Sequence, residues 1–293
     1  MPSLTVRADR PVDPDLLAIL RQTHAAAREL EIDYFVGGAL ARDLILLHVY
    51  GMDTGRATRD VDIGIHIAAW ETLASLKANL IRSGKFSEAA GTAHRLIYGS
   101  QDHAFGIPLD LLPFGGVERA NATIAWLPDT AVVMSVAGFA EARASAQIVE
   151  VSESLRVPVA SLPALAVLKL VAWRDRRLET SKDATDFLLI ARHYHEAGNV
   201  DRLYDAESAL LVATDYDPEL AGAMLLGNDV AAICSIATAR IVTDIIAGDQ
   251  LPQRLIDQLM SVCLSDARDV ASTRVALILD AFRRGLELVW ISR

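Results

Sequence analysis

The sequence predicts an α+β protein, with strands and helices mixed in its first half and helices almost alone in its second. Three observations predict this. Short runs that alternate at period two, or are β-prone throughout, all fall before Pro158. Runs with apolar residues at helical spacing fill most of the remainder. At 293 residues, 52% hydrophobic and 23% charged, the chain can bury a substantial core.

Residues 15–30 (DLLAILRQTHAAAREL) read as an amphipathic helix. Residues 34–36 are a short β-prone run that stops at Gly37-Gly38, and residues 39–50 resume a helical pattern. The polar stretch 51–58, with its two glycines, reads as a loop. Residues 60–65 alternate at period two, so they read as a strand with Asp60 and Asp62 on one face. A helix over 69–83 follows. Residues 94–98 and 107–112 are strand candidates, separated by a polar turn around Gln101-Asp102. Beyond Pro158, helices are expected over 162–177, 182–197, 200–213, 218–226, 229–247, 252–264 and 271–291. The change in character sets a domain boundary, with residues 1–157 as the first domain and 158–293 as a helical second.

No apolar stretch is long and uninterrupted enough to span a bilayer, and residues 1–14 lack an apolar signal core. A cytoplasmic protein is expected. Cys234 and Cys263 lie far apart in apolar patterns without metal-ligand spacing, so they read as small buried hydrophobes. A net charge of −10 argues against a surface coated by nucleic acid, although a local basic groove is compatible with it.

The chemistry concentrates in three places. Asp60 and Asp62 project from one strand face about 6.5–7 Å apart, close enough to repel unless a cation sits between them. A divalent metal, which favours hard oxygen ligands, suits that position. Asp110 lies in an otherwise apolar strand, IPLDLL, where a charge is costly unless paired or metal-bound. If its strand neighbours the first, three carboxylates converge. Gly37-Gly38 ends a strand and opens a helix, where free backbone N–H groups can receive phosphate oxygens. The pair is neither a Walker loop nor a dinucleotide fingerprint.

These segments, FVGGALARD, ATRDVDIGI and IPLDLLPF, together resemble the nucleotidyltransferase superfamily of DNA polymerase β, CCA-adding enzymes and aminoglycoside nucleotidyltransferases. The resemblance implies a mixed sheet flanked by helices and two magnesium ions, with manganese as an alternative. It implies that Asp60 and Asp62 bind both ions, while Asp110 binds one and helps deprotonate the attacking hydroxyl. Ala39 departs from the pattern, since many members carry a phosphate-binding Ser there. Backbone groups, with Arg42 and Arg59, are then expected to hold the phosphates.

The second half is similar to the abortive-infection nucleotidyltransferase toxins of type IV toxin–antitoxin systems, over LPALAVLKLVAWRDRRLETSKDATDFLLIARHY. Lys169, Lys182, Asp183 and Asp186 fit that subgroup's pattern, which implies a catalytic role for Lys169 and NTP-binding roles for Lys182 and Asp186. Lys169, in an apolar helix, suits either a snorkelling stem or a cation on the triphosphate. Arg174, Arg176, Arg177 and Lys182 form a basic cluster. The stretch 216–233 also looks family-like, without an evident mechanism.

The function expected is metal-dependent transfer of a nucleoside monophosphate from an NTP to an acceptor hydroxyl. The resemblance implies RNA, at a tRNA 3′ end, as acceptor and a cognate antitoxin as partner. The alternatives are an aminoglycoside-like small-molecule acceptor, which an acidic protein suits, and a non-catalytic binding module of the same fold.

Overall fold

The computed structural model of the chain describes residues 4–55, 58–99, 106–128, 130–262 and 268–291. The turn expected around Gln101-Asp102 lies outside them. Contacts divide the chain into two compact units, residues 1–161 and 162–293.

The first unit begins with β1 (Leu4–Thr5) and α1 (Pro14–Glu29). Asp13 caps α1 by accepting the backbone N–H groups of Asp15 and Leu16, and Pro14 supplies a pre-set first turn. Leu16, Ile19, Leu20, Ala26 and Ala27 are buried at helical spacing, as the sequence predicts. Next come β2 (Asp33–Gly37) and α2 (Gly38–Asp43), which runs straight into a π-helical turn at Leu44–Val49. The sequence predicts an α-helix throughout this stretch. The wider turn brings consecutive side chains onto a narrower arc, and Leu44, Ile45 and Leu46 are all buried.

There follow β3 (Val61–Ile67), α3 (Trp70–Arg82), β4 (Phe86–Glu88), β5 (Arg95–Tyr98) and β6 (Ile107–Gly115). A small hairpin of β7 (Thr123–Ala125) and β8 (Val133–Ser135) stands apart as its own two-stranded sheet. α4 (Phe139–Ala144), β9 (Gln147–Ser152) and β10 (Leu155–Val159) complete the unit. The main sheet has eight strands among the described residues, in the order β1-β9-β10-β2-β3-β6-β5-β4. It is mixed: β2 runs antiparallel to β3, β3 parallel to β6, and β5 antiparallel to β6. The first unit extends past residue 157 because β10 pairs with β9 and with β2 up to Val159.

Period two governs β3. Val61, Ile63, Ile65 and Ile67 are buried on one face, while Asp62, Gly64 and His66 point to the other. Phe35 lies across Gly64, where a Cβ would meet its ring at 2.4 Å. Phe35, Phe114 and Phe139 pack mutually at ring-centroid distances of 5.7–5.8 Å and fill that face beneath α4.

The second unit is helical among its described residues: α5 (Leu162–Arg176), α6 (Lys182–His193), α7 (Val200–Tyr204), α8 (Ser208–Ala213), α9 (Pro218–Ile233), α10 (Ile236–Ala247), α11 (Leu251–Val262) and α12 (Arg268–Ile291). Several boundaries differ from the sequence reading, and α6 ends at His193 rather than at residue 197. The helix expected over 200–213 is broken into α7 and α8. The break expected after residue 226 is absent, and α9 runs on to Ile233. Gly227 there is a packing device, because a Cβ on it would meet the Phe282 carbonyl oxygen of α12 at 2.2 Å. Gly285 reciprocates, with Met224 O 2.0 Å from its would-be Cβ. The break falls at Cys234, and Ser235 then caps α10 through the Thr238 N–H. Within the stretch 216–233, residues 221–227 are buried in the helical unit, whereas Tyr216 is exposed.

Candidate active site

The ladder places four residues in one row across four strands. Gly37 of β2 is paired with Asp62 of β3, Asp62 with Asp110 of β6, and Asp110 with Arg95 of β5. Residues opposite one another in register share a face, so this row is a single strip of chemistry with strands about 4.8 Å apart. The strands of Asp62 and Asp110 are neighbours, as the sequence reading requires. Asp60 stands just outside β3 and is exposed.

Two adjacent carboxylates repel, and Arg95 balances them. Its Nε donates to Asp110 Oδ1 and its terminal nitrogen to Oδ2, both at 2.7 Å. Asp110 is 7% exposed, so this bidentate pair is what makes its charge tolerable in an apolar strand. The Arg95 guanidinium is held above its ordinary range first by these hydrogen bonds. The charges of Asp110, Asp60 and Asp62 add to them and outweigh partial burial. His94 places Nε2 4.0 Å from Asp110 Oδ1 and stacks on Trp126 at 4.8 Å. Burial is the main cause that lowers its pKa, assisted by Arg95 and Lys77 and opposed by Asp110. Trp126 and Trp70 (5.8 Å between rings) line a cavity of about 310 Å³ with Leu73, Lys77 and Leu127.

Gly38 closes the strip from above. Its φ is +64°, and a Cβ would lie 1.8 Å from Asp62 Oδ2. Only glycine lets the backbone lie against this carboxylate. Hard carboxylate oxygens in register, with no side chain on Gly38 to crowd one of them, suit a divalent cation. Among the described residues, no three His, Cys, Asp or Glu side chains are already gathered as a metal-binding group. Asp110 is engaged by Arg95, and Asp60 is not fixed by the ladder.

The other expected phosphate contacts fall in different settings. Arg59 is exposed beside Asp60. Arg42 is instead 1% exposed, and its Nε and terminal nitrogen donate to Asp43 Oδ1 at 2.9 and 2.6 Å. Asp43 Oδ2 accepts from Thr58 Oγ1 at 2.5 Å.

In the helical unit, Lys169 is buried on α5, with Nζ 2.7 Å from Asp186 Oδ2 and 3.3 Å from Asp183 Oδ1. Arg176 makes two hydrogen bonds to Asp183, at 2.9 and 3.0 Å. These contacts tie α5 to α6. Lys182 is exposed at the start of α6. Of the expected basic cluster, Arg174 pairs with Asp175, and Arg177 donates to the Arg174 carbonyl.

Sequence reasoning missed Arg95, Asp43 and Thr58. For Arg95 a signal existed, a cation opening a predicted strand, but its register against Asp110 is a long-range fact.

The sheet sets paired aspartates in register beside a glycine turn, and the class of enzyme, a nucleotidyltransferase, follows from the family match. The family described as Nucleotidyl transferase AbiEii toxin, Type IV TA system, matches residues 19–255, and the chain belongs to it. Among solved structures, the chain is similar to the antibiotic-resistance factor ANT(2'')-Ia, at 16% identity over 70% of this chain and 99% of that one, with a TM-score of 0.37. An antigenic nucleotidyltransferase-like protein from Paracoccidioides brasiliensis shares 16% identity over 71% of this chain and 95% of its own, with a TM-score of 0.41. The Thermotoga maritima CCA-adding enzyme complexed with tRNA shares 13% identity over 96% and 84%, with a TM-score of 0.26. No curated protein matches. No helix among the described residues is long and apolar enough to cross a membrane.

Proposed function

We propose that this nucleotidyltransferase moves a nucleoside monophosphate from an NTP to a hydroxyl of RNA, at a tRNA 3′ end, and that a cognate antitoxin counters it. The observation that carries the reading is the row Gly37–Asp62–Asp110–Arg95. Asp60, Asp62 and Asp110 hold two magnesium ions, with manganese as the alternative. When bound, the ions neutralise the triphosphate and acidify the attacking hydroxyl. Asp110 takes the hydroxyl proton on a carboxylate oxygen, and Arg95 keeps that carboxylate aimed. The backbone at Gly37 and Gly38 admits the triphosphate closely, and Arg59 offers it a cation. In the helical unit, Lys169 and Asp186 hold α5 against α6, and Lys182 presents a solvent-facing cation for phosphate.

The cavity beside His94 favours a base-bearing acceptor over an aminoglycoside. Two of its walls are indole rings, which stack bases regardless of sequence, whereas a polyamine needs free carboxylates and the lining Glu88 is already paired with Lys77 at 3.0 Å. The test is incubation with labelled NTPs and either total tRNA or an aminoglycoside panel. Label in tRNA is the expected outcome; label confined to the antibiotics would replace the RNA reading with the small-molecule one.

A further inference from the structure

We infer that Asp43 and Thr58 are positioning residues for Asp60, an inference that rests on the proposed role of the aspartates as metal ligands. The first residue of β3 is Val61, and its first pairing with β2 is at Asp62. Asp62 is therefore fixed by the sheet on both sides, through Gly37 and Asp110. Asp60 has no such partner and is exposed. A ligand that shares an ion with Asp62 nevertheless has to arrive at a set distance from it.

The anchor lies two residues earlier. Thr58 Oγ1 donates to Asp43 Oδ2 at 2.5 Å, across fifteen residues of sequence. Asp43 is 3% exposed, and its two oxygens are divided between partners: Arg42 takes Oδ1 and Thr58 takes Oδ2. A buried carboxylate paired with an equally buried guanidinium is held in place, because breaking that pair would leave a buried charge uncompensated. Asp43 is also the last residue of α2, whose first residue, Gly38, lies against the Asp62 carboxylate. One helix thus touches both ends of the D-x-D segment: Gly38 meets Asp62, and Asp43 holds the approach to Asp60. Arg42 acts through Asp43, to which its buried guanidinium donates twice.

The test uses the full chain and reads Mn²⁺ binding by electron paramagnetic resonance alongside the melting temperature. Thr58→Val removes the donor and keeps the volume. We expect it to weaken Mn²⁺ binding about tenfold, the scale of one lost hydrogen bond to a charged group. Thr58→Ser restores the donor and should bind as the wild type does. Thr58→Ala, at a half-buried position, serves as a second donor-free variant and should match Thr58→Val. If both donor-free variants bind Mn²⁺ like the wild type and lose only melting temperature, the bond is a structural tie and the inference is overturned. A wild-type chain that binds no Mn²⁺ would instead overturn the metal-dependent reading, and the positioning role with it.

Discussion

A methyl group at residue 38 would stand 1.8 Å from Asp62 Oδ2, on a backbone whose φ of +64° already strains any L side chain. Gly38→Ala must move either the helix start or the carboxylate. A displacement on the order of 1 Å in a catalytic group costs about 10²-fold in rate. We expect that loss in NTP turnover, with a far-ultraviolet circular dichroism spectrum like the wild type's; unchanged turnover would remove Gly38 from the site. At this scale the sequence is informative where chemistry is local. Gly37, Gly38, Asp62 and Asp110 are legible because a glycine pair, a D-x-D alternation and a charge in an apolar run each violate an ordinary pattern. Arg95, Asp43 and Thr58 are not, because each is defined by a partner fifteen residues away and by a register that no local pattern encodes.

Elements are held by charge as well as by packing. Arg274 of α12 donates to Asp217, the cap of α9, at 2.5 and 2.9 Å and to Glu219 at 2.6 Å. Arg192 of α6 takes the other Glu219 oxygen at 2.6 Å. The Arg274 hydrogen bond is the main cause that lowers the Asp217 pKa, with the Leu220 N–H helping against partial burial. Burial pushes Glu219 up, but hydrogen bonds from Arg192 and Arg274 leave it lowered too. Groups with depressed pKa values stabilise the fold above their ordinary values and lose that contribution as pH falls through the depressed ones. Here the window opens below about pH 4.5. Melting curves should show Arg274→Gln less stable than the wild type at neutral pH, with the gap closing in acid. A gap independent of pH would mean that the clasp contributes packing alone. Element types were legible because helical periodicity is strong in this unit. The π-helical turn and the continuation of α9 were not, since tertiary packing against Leu44–Leu46 and Phe282 decides them. β9 and β10 were overlooked for a related reason: Pro158 reads as a boundary, yet it lies within β10 opposite Ile148.

For the whole molecule, a net charge of −10 coexists with a proposed site for a polyanion. Under the proposed function the row would resolve this locally, its carboxylates recruiting metal and Arg95 adding a fixed cation. The helical character of the second unit is legible in the sequence alone, while the family match spans residues 19–255, which take in the sheet as well as helices. Under the proposed function, Asp62 in this row drives nucleotidyl transfer. The most direct test is pyrophosphate release from NTP plus acceptor with Mg²⁺, comparing the wild type with Asp62→Ala. Release by the wild type and none above background by an Asp62→Ala chain with the same melting temperature is the result the account predicts; equal release by the two proteins would contradict it.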